Sequence, residues 1–441
     1  MSEALRVGIA GLGTVGASVV NVLREKANFL TVQCGRPVVV TAVSARSKGK
    51  DRGFDMGGLE WFDDPVELAK SDNIDVYVEL MGGDEGPAYD GIRAALAKGH
   101  HIVTANKALL AKHGYQLAKE AEAAGVILNF EAAVAGGIPI IKTMRESLSG
   151  NSITRVFGIL NGTANYILTR MEADEISFED CLADAQRLGY AEADPTFDIE
   201  GHDTAHKLAI LASMAFGTQV AADDIYMEGI SNISLSDIQA ARELGYRIKL
   251  LGVAEQTSTG IEQRVHPTMV PLDAVIAQVE GVTNAVGVEA DIVGSILMSG
   301  PGAGGNATAS AVVGDLADIA KAQPGRQQAP VFGRPASALE PYRRAEIEAH
   351  AGGYFIRMRV QDKSGVFATI AQSMADNGIS LESIVQRSSR GVSDTEGGKP
   401  AKTVILITHT TTESAIRAAT DIIKKKGDLI SQPQVIRIER A

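Results

Sequence analysis

The 441-residue chain is short of several things at once. It has two cysteines, Cys34 and Cys181, and they form neither a framework nor a metal-ligand spacing. That excludes a disulfide scaffold, and both read as reduced thiols in a cytosolic protein. Positive charge is in deficit: a net charge of −12 argues against an electrostatic grip on a nucleic-acid backbone. No apolar run approaches the roughly 18 residues that a membrane span needs. ALRVGIAG opens a strand almost at once, which leaves no room for a signal peptide. The expectation is a soluble cytoplasmic protein with no nucleic-acid and no membrane partner. Aromatics are scarce at 5%, while glycine and alanine are plentiful, a mix that suits tight helix–sheet packing around a ligand.

What is present is apolar patterning. Through residue 140, LRVGIAG, PVVVTAVSA, IDVYVELMG, HIVTA and VILNFEAAV read as strands. Between them lie the helical patterns TVGASVVNVLREKA, PVELAKS, GIRAALAKG and LAKHGYQLAKEAEAAG. Val- and Ile-rich strands without alternation are buried on both faces, which predicts an α/β, doubly wound parallel sheet. From about 140 to 320 helices and strands mix as in an α+β domain. Ala322 to Arg343 carries four prolines and no periodicity and reads as a linker. Beyond it the order is βαββαβ, a small ferredoxin-like unit. Within that unit, residues 388–400 read as a hairpin loop.

GLGTVG, residues 11–16, spells G-x-G-x-x-G at Gly11, Gly13 and Gly16, and Leu12, Thr14 and Val15 complete the turn. It follows a predicted strand and opens a predicted helix, the context in which this motif approaches a dinucleotide pyrophosphate. The first sheet is therefore expected to be of Rossmann type. The second strand ends TAVSARSKGK, with Arg46 and Lys48 and no carboxylate to take the ribose hydroxyls. That favours NADP, with NAD as the alternative. Thr104-Ala-Asn-Lys107 follows a later strand, so Thr104 and Lys107 border the expected ligand crevice. The expected boundaries are 1–135 for a dinucleotide-binding domain, 136–321 for a substrate-binding and catalytic domain whose last part packs back on the first, 322–350 for the linker and 351–441 for the C-terminal unit.

LGYAEADPTFDIEGHDTAHK, residues 188–207, holds the carboxylates Glu192, Asp194, Asp198, Glu200 and Asp203 and ends on Lys207. Asp203 and Lys207 are four apart, hence on one helix face. An exposed pair of that kind is worth under about 0.5 kcal/mol. The helix that follows, LAILASMAFG, is apolar nearly all round and so is expected to be buried. A buried pair is retained against a desolvation cost and is the better functional candidate. A lysine beside acids suits proton donation to a carbonyl oxygen, and the acids suit a substrate ammonium. Asp198 and Glu200 serve equally well as turn caps or solvent-facing groups on this reading.

This stretch resembles the signature of the homoserine dehydrogenases at every specified position: Ala185, Gly189, Ala191, Asp194-Pro195, Asp198 to Asp203, and Lys207. VGIAGLGTVG, TANKALLA, FEAAVAGGIPII, GILNGTANYILT and GPGAGGNATASAVVGDL resemble the same family in its usual order, over about residues 5–320. The C-terminal unit resembles an ACT domain. The resemblance implies reversible reduction of L-aspartate 4-semialdehyde to L-homoserine with NAD(P)H, in threonine, methionine and isoleucine biosynthesis. It implies Lys207 as proton donor, Asp203 as its support, Lys107 between cofactor and substrate, Glu192 on the substrate ammonium, and Gly162 and Thr163 in the substrate site. It further implies a sodium or potassium ion at Glu131, Val134, Gly136 and Ile138, and a second glycine loop that brings Gly305 to the cofactor. Asp362 and Gly365 match the ACT ligand loop, with Ser364 where proline is usual, and imply L-threonine as inhibitor. A homodimer or homotetramer is expected.

Two other readings compete. A non-catalytic amino-acid sensor would have lost the site lysines, yet Lys107 and Lys207 are both present. An acylating semialdehyde dehydrogenase would need a cysteine in the crevice, and neither Cys34 nor Cys181 is placed for it.

Overall fold

The structure, a computed structural model, describes residues 3–322, 329–345, 351–387, 395–396 and 399–439. Six parallel strands form the first sheet: β1 (Leu5–Ala10), β2 (Val38–Ser44), β3 (Glu60–Phe62), β4 (Val76–Glu79), β5 (His101–Thr104) and β6 (Leu128–Asn129). Their spatial order is β3-β2-β1-β4-β5-β6. The chain reverses direction across the sheet between β1 and β4, so a crevice opens beyond the carboxyl ends of these strands. The glycine turn follows β1, and Glu79 and Thr104 end β4 and β5. Glu79 is fully buried and accepts from the amides of Met81 (2.7 Å) and Gly82 (3.3 Å) and from the Thr104 hydroxyl (2.7 Å). Three donors offset the desolvation of one carboxylate and tie two strand ends together at the crevice.

The helix Gly305–Lys321 returns from the middle of the chain to this sheet. Its Ala309, Val312 and Leu316 share one apolar cluster with Val7 and Ile9 of β1 and with Val19 and Val20 of the helix Thr14–Glu25. The helix Ala27–Cys34, ended by a left-handed Gly35, stands where no separate element was expected.

The second sheet is mixed and contains twelve strands among the described residues. Its path runs from the strand Gly294–Pro301 through Thr283–Ala290, β7 (Ile153–Ile159), Tyr246–Gln256 and Ile261–Pro271. It then continues without a break into Gln434–Ile438, Ala351–Gln361, Lys399–Thr408 and Leu381–Arg387. Those last four, with the helices Val366–Asp376 and Glu413–Lys425, are the expected βαββαβ unit. The join is a short parallel pairing, Thr268 with Arg437 and Met269 with Ile438. Backbone hydrogen bonds thus cross from the middle domain into the C-terminal one.

Within the segment read as a linker, residues 329–345 are packed. Val331 and Phe332 are buried, Gln219 N–H donates to Glu340 O (2.8 Å), and Ile261 N–H donates to Arg343 O (2.8 Å). Prolines removed helical periodicity there without removing burial. Residues 323–328 and 346–350 of that segment lie outside the described residues, as does most of the 388–400 loop.

Candidate active site

The helix His202–Phe216 carries the central pair. It starts from Gly201 in the left-handed region (φ 88°), where a Cβ would lie 2.7 Å from Val265 Cγ1. Glycine is therefore required both for the turn and for the close approach. Helical spacing brings Lys207 Nζ to 2.7 Å from Asp203 Oδ2. The two residues are 9% and 6% exposed, so this is a buried pair and not a surface one. Lys207 Nζ also donates to Leu160 O (2.6 Å) at the end of β7.

Two further elements close on Asp203. Lys107 opens the helix Lys107–Ala124 after β5, capped by Asn106, whose side chain accepts from Leu109 N–H. Lys107 Nζ lies 3.1 Å from Asp203 Oδ1, and its side chain is 32% exposed. Asn161 caps the helix Gly162–Asp174 with its side-chain oxygen and sends its amide nitrogen to Asp203 Oδ2 (2.9 Å) and Asp198 Oδ1 (2.8 Å). One carboxylate is thus gripped by two ammonium groups and an amide. Burial by itself would raise the Asp203 pKa; Lys207 and Lys107 overcome that and hold the carboxyl far below its ordinary range. Burial pushes Lys207 down from the ordinary lysine value, Asp203 opposes this, and the like charge of Lys107 adds to the lowering. Asp198 is pushed up by burial, against the Asn161 hydrogen bond.

These groups line a cavity of about 560 Å³. Gly162, Thr163, Gly189 and Tyr190 form another part of its wall, and the Thr163 hydroxyl donates to Tyr190 O (2.6 Å). A Cβ on Gly162 would meet Val282 O at 2.8 Å, so the helix start and the 282 loop touch. Val15, within the glycine turn, also lines the cavity. The three glycines of the turn divide their work. Gly11 (φ 101°) would put a Cβ 2.5 Å from Leu80 O, and Gly16 would put one 2.0 Å from Gly11 O. Gly13 has nothing within 4 Å of its Cβ position and is exposed. The first and third make the turn and the packing, and the second leaves the approach to the helix N-terminus open, as a pyrophosphate requires.

The comparisons with known proteins decide the family. The homoserine dehydrogenase model matches residues 139–317, the homoserine dehydrogenase NAD-binding-domain model matches 11–131, and the ACT-domain model matches 354–426. The Pseudomonas aeruginosa homoserine dehydrogenase is 44% identical over 99% of both chains. The chain belongs to the homoserine dehydrogenase family. A solved homoserine dehydrogenase from Thiobacillus denitrificans superimposes with a TM-score of 0.92 at 43% identity, covering 99% of this chain and 98% of that one. A hyperthermophilic archaeal homoserine dehydrogenase, solved in complex with NADPH, is 26% identical, has a TM-score of 0.62, and covers 71% of this chain and 97% of that one. This member is accordingly an NAD(P)-dependent oxidoreductase with a Rossmann-type nucleotide domain and an ACT domain.

For a homoserine dehydrogenase the remaining expected site residues are distributed unevenly. Glu192 is exposed and lies outside the cavity wall; its carbonyl is held by Gln186 Nε2 (3.0 Å) on the loop that also carries Gly189 and Tyr190. Gly305 lies behind the wall, where a Cβ would meet Ser18 Oγ at 2.6 Å; Gly302, Ala303 and Gly304 are the residues that line the cavity. The Thr104 hydroxyl is committed to Glu79. Arg46 and Lys48 are exposed beyond β2, and Lys48 Nζ stands 5.9 Å over the Trp61 ring. Arg52 joins them at 5.7 Å from the same ring and donates to Leu12 O (3.3 Å), so a third cation belongs to this corner. Its distance in sequence from the glycine turn hid it.

Glu131 is buried, and its carboxylate accepts from the amides of Ile141 (2.8 Å) and Lys142 (2.9 Å). Those two bonds cap the helix start that follows. Val134 and Ile138 are buried, and Gly136 (φ 54°) abuts Gly302 O, where a Cβ would come within 2.3 Å. The segment therefore touches the second glycine loop directly. Asp362 is exposed with Lys402 Nζ at 3.8 Å. Gly365 (φ 92°) starts the helix Val366–Asp376, with its Cβ position open. Asn161, Asp198, Tyr190 and Asn284 line the cavity without having been singled out as site residues by spacing. Asp198 and Asn161 carried a signal only through segments that resemble the family, the 188–207 stretch and GILNGTANYILT.

Proposed function

We propose that this homoserine dehydrogenase interconverts L-aspartate 4-semialdehyde and L-homoserine with NADP as the preferred cofactor, and that Lys207 carries the proton. The supporting observation is the buried Lys207–Asp203 pair, joined by half-buried Lys107, in a cavity bounded on another side by the glycine turn. A dinucleotide, when bound, would supply a hydride to the carbonyl carbon in reduction and accept one from the carbinol carbon in oxidation. In reduction, the aldehyde oxygen gains negative charge and takes a proton from Lys207 Nζ; in oxidation, Lys207 takes the hydroxyl proton back. Burial lowers the lysine's pKa toward the operating pH, which eases transfer in both directions. Asp203 holds Nζ by an ionic hydrogen bond of 2.7 Å and keeps the second ammonium, Lys107, close enough to stabilise the alkoxide as it forms.

Asp198, Thr163 and Gly162 line the cavity and suit the amino-acid end of the substrate. Glu192 serves the substrate ammonium if its exposed loop folds inward over Tyr190. Arg46 and Lys48, with Arg52 beside them, favour a 2′-phosphate, and no carboxylate ends β2 to take a free ribose hydroxyl. Main-chain carbonyls of the 131–138 segment suit a sodium or potassium ion that would brace its contact with the second glycine loop. Threonine at the Asp362–Gly365 loop, where a helix N-terminus opens at Gly365, is the proposed feedback inhibitor. The setting is cytoplasmic threonine, methionine and isoleucine biosynthesis, and the assembly a homodimer or homotetramer.

One assay tests the core of this. Purified protein with L-homoserine should reduce NADP faster than NAD, followed by nicotinamide absorbance, and added L-threonine should slow it. Absence of turnover with both dinucleotides would refute the assignment. Equal rates with both would remove only the cofactor preference.

A further inference from the structure

Asn284 is the second residue of the strand Thr283–Ala290 and lines the cavity. It is 1% exposed, and among the described residues its Oδ1 has no hydrogen-bond partner. A buried amide oxygen without a donor is unfavourable, so its presence on a cavity wall asks for a donor brought by a ligand. The amide is held in place by its neighbours. Asn284 pairs with Gly300 across the hairpin, and a Cβ on Gly302 would come within 2.0 Å of the Asn284 amide. Glycine at 302 makes room for this side chain.

The surroundings indicate which ligand group is meant. From Gly302 the chain runs through Ala303 and Gly304, which line the same cavity, into the helix Gly305–Lys321. Gly305 packs on Thr14 and Ser18 of the helix that the dinucleotide glycine turn opens. Asn284 therefore belongs to the dinucleotide side of the cavity. Asp198 and Asp203 come from the other elements, and as ionised acceptors they are the stronger partners for an ammonium group. A neutral amide suits a neutral N–H donor, and an asparagine side chain and a carboxamide are complementary, each offering donors and an acceptor.

We propose that Asn284 recognises the carboxamide of the nicotinamide ring and so sets which face of the ring meets the substrate. This rests on reading the cavity as the dinucleotide and substrate site. It makes Asn284 a cofactor-contacting residue remote in sequence from both glycine-turn motif and lysines.

The test is calorimetric binding of NADP and of its 3-acetylpyridine analogue, in which a methyl group replaces the carboxamide NH2. The wild-type protein should bind NADP about 3- to 10-fold more tightly than the analogue, the worth of one neutral hydrogen bond. In Asn284→Ala, NADP should weaken to the analogue's level while the analogue changes little, so the ratio falls to about one. Asn284→Leu, closer in volume, should lose the ratio in the same way and serves if the alanine variant folds poorly. A ratio that persists in either folded variant overturns the inference and leaves the dinucleotide reading intact. So does a wild-type ratio of one, or a variant whose homoserine affinity alone has changed. A wild-type protein that binds neither dinucleotide overturns both readings.

Discussion

Two charge clusters in this molecule, each with a buried centre, are mirror images of each other. In the active cavity one carboxylate, Asp203, is held between two ammonium groups, Lys107 and Lys207. At the junction with the C-terminal domain one guanidinium, Arg437, is held between two carboxylates. One is Glu413 of its own domain, in direct contact, and the other is Glu228 of the middle domain, at 3.5 Å. Arg437 also lies 5.0 Å over the Tyr226 ring. The geometry is alike and the consequence is opposite. Burial can lower the pKa of a lysine, and it does so at Lys207. Arginine does not give up its proton in a protein, and at Arg437 the carboxylates outweigh burial and raise its pKa further. On the proposed mechanism the first cluster passes a proton. The second can only hold two domains together, beside the parallel strand pairing at Arg437 and Ile438.

The largest way to break this contrast is to remove the titrating group. Lys207→Ala should lower kcat by about 10²- to 10⁴-fold while dinucleotide binding persists. Lys207→Arg should fail to restore it, because the replacement keeps the charge and cannot release the proton. A near-normal kcat in either variant would remove Lys207 from the proton path. The matching change at the junction is Arg437→Ala, which takes the counter-charge from half-buried Glu228 and one of two guanidiniums from buried Glu413, Arg417 remaining in contact with it. It should cost about 1.5–3 kcal/mol in urea unfolding of the C-terminal domain, the worth of a charged hydrogen bond, with kcat of the folded enzyme little changed. An unaltered unfolding midpoint would mean that the cluster is no strut.

A change in pH sharpens the comparison further. On the proposed mechanism homoserine oxidation needs Lys207 unprotonated, so its rate should rise as pH passes through the folded pKa, which lies below the ordinary lysine value. Asp203 is the group that opposes the lowering, so in Asp203→Asn the residual activity should rise at lower pH than in the wild type. A shift to higher pH would contradict the electrostatics. Stability carries the same signs. Asp203 contributes stability above its unfolded pKa that is lost as pH falls through its depressed folded value. Lys207, also depressed, makes stability rise with pH between its folded and unfolded values. The smallest expected effects separate the two acids offered to the substrate. Asp198→Asn should raise the KM for homoserine by about tenfold, the loss of one charge-assisted contact. Glu192→Gln should raise it less if the loop stays open, and by a similar factor if the loop closes on substrate.

Much of the site was legible because it is local. The four-residue step from Asp203 to Lys207 is a helical distance, and the apolar run after it announced burial. The glycine turn was readable from its place between a strand and a helix. The residues that were missed meet their partners from far along the chain. Asn161 meets Asp203 across 42 residues, and Arg52 meets Leu12 across 40. Conversely, Gly305 and Glu192 matched patterns without lining the cavity: one packs against Ser18, and the other sits two residues past Tyr190 on an exposed loop. A motif marks a segment, and side-chain direction within the segment depends on what packs behind it.

By itself the sequence determined the parallel sheet, the βαββαβ unit, the dinucleotide turn and the buried lysine–aspartate pair. Each follows from hydrophobic period, glycine placement and charge spacing over a few residues. Only the tertiary structure decided that the two later domains share one sheet, that Lys107 and Asn161 converge on Asp203, and which glycines face open space and which face backbone. Those outcomes depend on contacts between distant segments, where burial and packing act on three-dimensional neighbours that no short window of sequence contains.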